Sequence, residues 1–248
     1  MKHILKIVVF ATLAICCNNF ISAQSGNLKT YNGEFHMHGF GYSSEIKKVT
    51  GIATYYYRDA PDGTRIFEGD FSFECEHRYE EKMKYEVNGS FKNNKQIGKW
   101  VWRRTGYQNS IYVEEECTIN FDENGVLNGA FDLWIGSDTN NRDRWMKGVF
   151  ENGKIASISY KLLDYVTAEG RYNKDGEPMG KWSVTGTDVP PNYVLNYDAY
   201  GRCLDAYYID QSTGDKKRIL IRDSPDRIYM RVSGAVSRRI FRSTPEIK

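Results

Sequence analysis

The sequence predicts an all-β fold, an elongated antiparallel meander of stacked β-hairpins, on three observations. A glycine-x-aromatic motif recurs about every twenty residues, which is typical of repeat architectures. Turn-forming Asn-Gly and Asp-Gly pairs lie between the motifs. The chain also holds 18 Tyr, 12 Phe and 5 Trp but only 6 Pro, and aromatic residues favour a pleated, half-buried surface. We expect about fourteen to sixteen strands and no sizeable helix after residue 23.

The recurring motif places a glycine two residues before an aromatic ring. The copies are Gly33 with Phe35, Gly69 with Phe71, Gly89 with Phe91, Gly129 with Phe131, Gly148 with Phe150, and Gly170 with Tyr172. A looser copy begins at Gly51, and a degenerate one lies between Gly89 and Gly129. One hairpin alone is marginally stable in water, so we expect the copies to stack edge to edge and share an apolar face. The phased glycines are expected to form the corners of the hairpins.

The better copies carry a second half. Gly98 precedes Trp100, and Gly180 precedes Trp182, so residues 89–100 and 170–182 are copies of one unit. Between the halves and at related turns, Asn-Gly and Asp-Gly supply the positive φ values that tight hairpins demand. Alternation over residues 99–103 places two tryptophans on one face of a strand. The repeat aromatics are therefore expected to line the shared apolar face.

The pattern Tyr31-Asn32-Gly33-Glu34-Phe35 and the Gly-x-Phe…Gly-Lys-Trp theme resemble MORN repeats. The nearest resemblance is to the variant in exported bacterial proteins that are often labelled antitoxin components, and it covers about residues 31–186. This resemblance implies an elongated, twisted antiparallel sheet that contacts proteins or lipid surfaces or acts as a rigid spacer. The chain departs from the strict pattern at residues 39–41 and in a polar insertion at 136–143.

Residues 1–23 have the pattern of an export signal. Lys2 and Lys6 precede an apolar run at 4–17, and Ile21-Ser22-Ala23 offers a small-residue cleavage site. The run is shorter than the roughly twenty residues that span a bilayer. A lipid anchor on Cys16 or Cys17 is disfavoured because no small residue precedes either cysteine. We expect a periplasmic or extracellular protein with no transmembrane span after signal removal.

The mature chain is expected to comprise a repeat region at 24–189 and a basic β extension at 190–248 that continues the same sheet. Pro190-Pro191 interrupts the pattern, and residues 193–197 and 204–209 are predicted to be further strands. Residues 216–248 contain ten basic and three acidic residues. This end either packs beside acidic segments such as Glu80-Glu81 or Glu114-Glu115-Glu116, is solvated, or binds an acidic partner or lipid headgroups.

Charge and cysteine content restrict the partners. Removing Lys2 and Lys6 from the 34 basic residues leaves 32, which equals the number of acidic residues. A neutral chain argues against nucleic acid, because phosphate neutralisation needs a surplus of Lys and Arg. Cys75, Cys117 and Cys203 remain in the mature chain, either as buried small hydrophobic residues or with one disulfide whose pairing the sequence leaves open.

No catalytic, metal or cofactor motif occurs. A Gly-x-Ser-x-Gly elbow and a phosphate-binding glycine loop are missing, and the cysteines lack metal-ligand spacing. His36 and His38 are two residues apart and would share a strand face, but solvent-facing histidines are the favoured interpretation. We therefore expect a non-enzyme without cofactor or metal. A hydrolase with two facing carboxylates is the third-ranked hypothesis.

Trp134 and Trp145 lie outside the repeat template and flank the polar insertion, so they are the candidate binding residues. The first hypothesis is a protein-interaction or scaffold module whose partner is another envelope or secreted protein. The second is a carbohydrate-binding platform. The first predicts a sheet without a ligand-sized pocket and with an exposed apolar or edge-strand surface. The second predicts that Trp134 and Trp145 are exposed together over a shallow groove.

Overall fold

The computed structural model describes residues 27–38, 48–77, 83–108, 111–137, 141–162, 166–186 and 193–218. These residues form fourteen antiparallel strands in one open sheet, each strand paired with its neighbours in sequence. The described residues contain no helix, and so no apolar helix of membrane-crossing length occurs among them. The predicted all-β hairpin meander is confirmed. The predicted export signal and the 39–41 departure lie outside the described residues.

The strands are β1 (Lys29–His38), β2 (Lys48–Asp59), β3 (Arg65–His77), β4 (Met83–Lys92), β5 (Lys95–Gln108), β6 (Ile111–Phe121), β7 (Gly129–Ser137), β8 (Asn141–Glu151), β9 (Lys154–Leu162), β10 (Val166–Tyr172), β11 (Pro178–Gly186), β12 (Tyr193–Tyr197), β13 (Cys203–Ile209) and β14 (Lys216–Arg218). The three strands that follow Pro190-Pro191 continue the same sheet. Residues 219–248 lie outside the described residues.

The two faces of the sheet differ in composition. Side chains alternate between the faces along each strand, and one face carries nearly all the buried hydrophobic residues. We call this the aromatic face and the opposite one the outer face. The repeat aromatics are buried on the aromatic face: Phe71, Phe91, Trp100, Phe131, Phe150, Tyr172 and Trp182, with Phe35 partly buried beside them. The expected shared apolar face is confirmed.

A ring laid over a glycine is the packing element of this face. The indole of Trp100 covers Gly89 on β4, and the indole of Trp182 covers Gly170 on β10, so closely that a Cβ at either glycine would overlap the ring. Both tryptophans are fully buried. Glycine is thus required at these positions for space. Neither Gly89 nor Gly170 has a positive φ.

The two best repeat copies reproduce this packing in detail. The Nε1–H of Trp100 donates to the Ser90 carbonyl oxygen at 3.2 Å, and that of Trp182 donates to the Arg171 carbonyl oxygen at 3.1 Å. Trp100 meets Phe91 edge to face at 5.0 Å between centroids. The equivalent Tyr172–Trp182 separation is 5.2 Å, and the interplanar angle is 78° in both pairs. Each indole therefore satisfies its buried N–H locally.

A β-bulge in the tryptophan's strand places each indole over the glycine of the neighbouring strand. Gly89 faces three residues of β5, because Asn88 pairs with Val101 while Ser90 pairs with Ile97. Gly170 likewise faces residues 180–182 of β11. Gly98 and Gly180 begin these bulges with φ values of 64° and 66°, which only glycine adopts readily. Gly69 and Gly129 also have positive φ.

The expectation that the phased glycines are hairpin corners is wrong. Gly33, Gly89, Gly148 and Gly170 lie inside strands without positive φ. The corners are formed by other residues, such as Asn152-Gly153 with φ values of 51° and 81°. The physical reason is that a large ring on a neighbouring strand needs the space above a strand glycine. At Gly148 that ring is Phe131.

The acidic segment at 114–116 does not receive the basic end within the described part of the chain. Glu116 lies 2.7 Å from Arg103 and Glu115 lies 3.0 Å from Arg104, both on β5. Lys216 and Lys217 pair instead with Asp205 and Asp210 close to them in sequence. The predicted packing of the basic end against Glu114-Glu115-Glu116 is therefore wrong for residues 216–218. Cross-strand register brings Glu116 opposite Arg103 and Glu115 opposite Arg104.

The Arg104–Glu115 pair is a buried ion pair on the aromatic face. Glu115 is fully buried and Arg104 is 6% exposed. Tyr85 lies beside Arg104, and burial raises the pKa of its hydroxyl while the arginine partly offsets that rise. Two charges in an otherwise apolar surface stabilise the fold only as a pair, because a single buried charge is strongly unfavourable.

We predict that Gly170→Ala lowers the free energy of unfolding by about 1–3 kcal/mol or more, because the Trp182 indole must move. The matched control is Gly176→Asn. Gly176 has a φ of 84° and open space around its Cβ position, and asparagine tolerates this conformation, so the control should cost less than about 1 kcal/mol. Urea denaturation measures both. A neutral Gly170→Ala would contradict the ring-over-glycine packing.

Glu115→Gln is expected to destabilise the fold by about 3–5 kcal/mol, because the Arg104 charge is left buried without its partner. Glu116→Gln on the same strand breaks the exposed pair with Arg103 and should cost about 0–1 kcal/mol. Chemical denaturation of the two variants under identical conditions tests this contrast. Equal effects would show that the buried pair carries no special energetic role.

Candidate functional site

The structure brings the two predicted binding residues together. Trp134 on β7 pairs directly with Trp145 on β8. Their neighbours Leu133 and Met146 are buried on the aromatic face, so alternation places both tryptophans on the outer face. Both are half-buried. Directly opposed residues of an antiparallel pair have Cβ atoms about 5 Å apart, so the two tryptophans are neighbours on the outer face, and we call this pair the aromatic patch.

A shallow, open depression of about 810 Å³ adjoins this patch on the outer face of β7 to β11. Its volume falls within the range of about 300–1,000 Å³ typical of small-ligand sites. Small outward side chains create it, since Ala130, Ser157, Ser159 and Ser183 leave space where longer side chains would stand. Asp132 and Lys147, two of its lining residues, lie two positions along the strands from Trp134 and Trp145.

Charged side chains surround the serine hydroxyls. The lining includes three positively charged residues, Lys147, Arg171 and Lys181, and two negatively charged residues, Asp132 and Glu169. None of the three cations forms an ion pair with another residue in the described part of the chain. The ammonium of Lys147 instead lies 5.2 Å from the ring centroid of Trp145, a cation–π contact that links the depression to the aromatic patch.

Such an arrangement can bind a polar, hydroxyl-rich ligand. Serine hydroxyls donate and accept hydrogen bonds, lysine and arginine donate to anionic groups, and indole faces stack on apolar ring surfaces. The depression is wide and shallow, so it suits an extended ligand that lies along the sheet. The backbone beneath it is paired in the ladder between strands and supplies a rigid floor.

The other predicted chemical residues lie apart from this depression. The Nδ1 of His36 is 2.9 Å from the Thr50 hydroxyl, and its Nε2 is 3.7 Å from Glu34. The His38 side chain lies outside the described residues. No group of three or more potential metal ligands occurs among the residues that the structure describes.

The three cysteines are free thiols. Cys75 on β3 and Cys117 on β6 are three strand spacings apart, about 14 Å, which is too far for a disulfide. Burial raises the pKa of the Cys75 thiol to about 11. This thiol is therefore protonated at neutral pH, and a protonated thiol is a poor nucleophile.

Comparison of the chain with protein-family models, with curated proteins and with solved structures finds no significant match. The hairpin meander is compatible with the resemblance to MORN repeats, which stays a prediction. What the protein binds has to be argued from its own surface.

Sequence reasoning selected Trp134 and Trp145 but missed the depression beside them. The available signal was the run Lys154–Leu162, in which Ser157 and Ser159 alternate with the apolar Ile158 and Tyr160. Two serines in succession on the outer face indicate a strand whose outward side chains are short and leave space above it. Recognising the depression also requires knowing that Arg171 and Lys181 lie on the adjacent strands β10 and β11, which is a matter of register.

Proposed function

We propose that this protein is an exported, non-catalytic carbohydrate-binding module that receives its ligand on the outer face of β7 to β11. The observation that carries the proposal is the direct pairing of Trp134 with Trp145 beside an open, ligand-sized depression lined by serines and charged side chains. Aromatic rings next to convergent hydroxyl and charged groups match both surfaces of a sugar, since its ring faces are apolar and its edges are polar.

A hydrolase is less well supported. The two carboxylates of the lining are Asp132 and Glu169, which lie in one cross-strand row on β7 and β10. Three strand spacings separate them by about 14 Å. Glycoside hydrolysis uses carboxyl groups about 5–9.5 Å apart, so this pair does not suit the reaction.

A protein partner is the second candidate function. Ile52 and Tyr56 are exposed apolar side chains on β2, next to β1. Within the described residues, the ten-residue strand β1 pairs only with β2 and presents an edge. An unpaired edge can accept a strand from another protein. This surface is at the far end of the sheet from the depression, so the two functions are separable by mutation.

The proposal predicts binding on an array of glycans by the protein without its first 23 residues. The double variant Trp134→Ala/Trp145→Ala should weaken the best interaction by about tenfold or more through loss of stacking. Tyr200→Ala, which removes an 82% exposed ring in the β12–β13 turn outside the lining of the depression, is the matched control and should bind normally. Circular dichroism verifies that both variants fold.

Two outcomes would contradict the proposed function. One is an array without any binding glycan. The other is binding that survives the loss of both tryptophans. If instead Ile52→Lys and Tyr56→Lys abolish capture of a purified envelope protein while the tryptophan variant retains it, the protein-interaction function is the correct one.

A further inference from the structure

The charges of the depression contrast with those of the remaining body. Three cations and two carboxylates line it. Residues 24–215, by contrast, carry a net charge of minus seven, because the mature chain is neutral and residues 216–248 have a surplus of seven basic residues. A locally positive surface on a negative body concentrates the field on a bound anion.

Some cations elsewhere on the outer face pair with carboxylates. Arg103 lies 2.7 Å from Glu116, and Lys84 lies 2.8 Å from Glu86. Lys147, Arg171 and Lys181 have no such partner among the described residues. Arg171 and Lys181 also lie on adjacent strands, so their like charges are close together, and the nearby carboxylate is that of Glu169, two residues from Arg171 on the same face.

The repeat itself does not require the cation at Arg171. Ser90 is the position in the 89–100 unit that corresponds to Arg171 in the 170–182 unit, since each follows the ring-covered glycine. Ser90 donates a hydrogen bond to Asp70 at 2.9 Å. The repeat thus forms with a small neutral residue at this position. The guanidinium of Arg171 therefore adds a charge that is not needed for packing. Lys181 corresponds to Lys99, which lies outside the depression.

We propose that the depression binds a carboxylated glycan, a chain of uronic acid residues, whose carboxylates meet Arg171, Lys181 and Lys147. This inference rests on the proposed carbohydrate-binding function and names its ligand class. From Lys147 on β8 to Lys181 on β11 the depression extends over three strand spacings, about 14 Å, which is long enough for an extended chain of several sugar rings.

Sugar rings and hydroxyls account for the other lining groups. Ser157, Ser159 and Ser183 face the hydroxyl edges of the chain, and the Trp134–Trp145 patch stacks on a ring at one end. An acidic peptide fits less well, because peptides bind sheets chiefly through backbone hydrogen bonds at an edge. The strands beneath the depression are paired on both sides and offer no such edge.

The test is isothermal titration calorimetry of the mature protein with alginate oligosaccharides as the uronate chain and cello-oligosaccharides as the neutral chain. Alginate should bind more tightly, and its affinity should fall when salt is raised from 50 to 500 mM because screening shortens the reach of the charges. Arg171→Gln/Lys181→Gln should weaken alginate binding about tenfold or more. Lys99→Gln, the repeat-equivalent lysine, is the matched control and should have no effect.

The outcomes separate this inference from the proposed function. If neutral and uronate chains bind equally and depend on Trp134 and Trp145 but not on Arg171 and Lys181, the inference is overturned and the carbohydrate function stands. If neither chain binds, and no other glycan binds on the array, both fail. If poly-glutamate binds as tightly as alginate and the tryptophans do not matter, the surface serves an acidic protein.

Discussion

The contact between a tryptophan ring and a glycine on the neighbouring strand is the constraint on which the rest of this structure depends. A single-layer sheet has no second layer to cover its hydrophobic face. Here the rings cover it themselves, since Trp100 and Trp182 lie flat over Gly89 and Gly170 and are fully shielded from solvent. The glycine supplies space, the bulge at Gly98 or Gly180 supplies the change of direction, and a backbone carbonyl accepts the indole N–H.

Because the packing that stabilises the fold lies on the aromatic face, the side chains of the outer face can differ from one part of the sheet to another. Over β2 to β6 it carries ion pairs such as Arg103 with Glu116. Over β7 to β11 it carries small serines with three cations and two carboxylates, which produce the depression and its local charges. The same repeat thus supports ion-paired charges on one part of the outer face and an open depression with charged walls on another. This division of the two faces is the physical basis for assigning binding to the outer side.

Much of the fold was predictable because its signals are local. A glycine two residues before an aromatic, repeated along the chain, predicts hairpins that share one apolar face, and Asn152-Gly153 has the positive φ values expected of a turn. The role of the phased glycines was not predictable, since Gly89 and Gly170 owe their identity to rings that arrive from the next strand. Sequence spacing does not reveal which atom lies above a backbone position.

The candidate site was likewise predictable where its signals are local and not where they depend on contacts between strands. Trp134 and Trp145 stood out because they break the repeat template, and their pairing follows from the β7–β8 hairpin. Arg171 and Lys181 sit at repeat positions and looked like ordinary surface charges. Only the register of the next three strands, β9 to β11, shows that they join Lys147 around one depression. The buried Arg104–Glu115 pair was hidden in the same way inside a run of three glutamates.

The central claim is that the aromatic face holds the fold while the outer face binds, and the five tryptophans of the chain report on both. Titration with an alginate oligosaccharide, followed through the indole N–H signals in a proton–nitrogen NMR spectrum, observes both faces at once. The account predicts that the signals of Trp134 and Trp145 move while those of Trp100, Trp102 and Trp182 stay in place. The account would be contradicted if the signals of the three core indoles moved. It would also be contradicted if the signals of the two outer indoles stayed in place while the oligosaccharide bound.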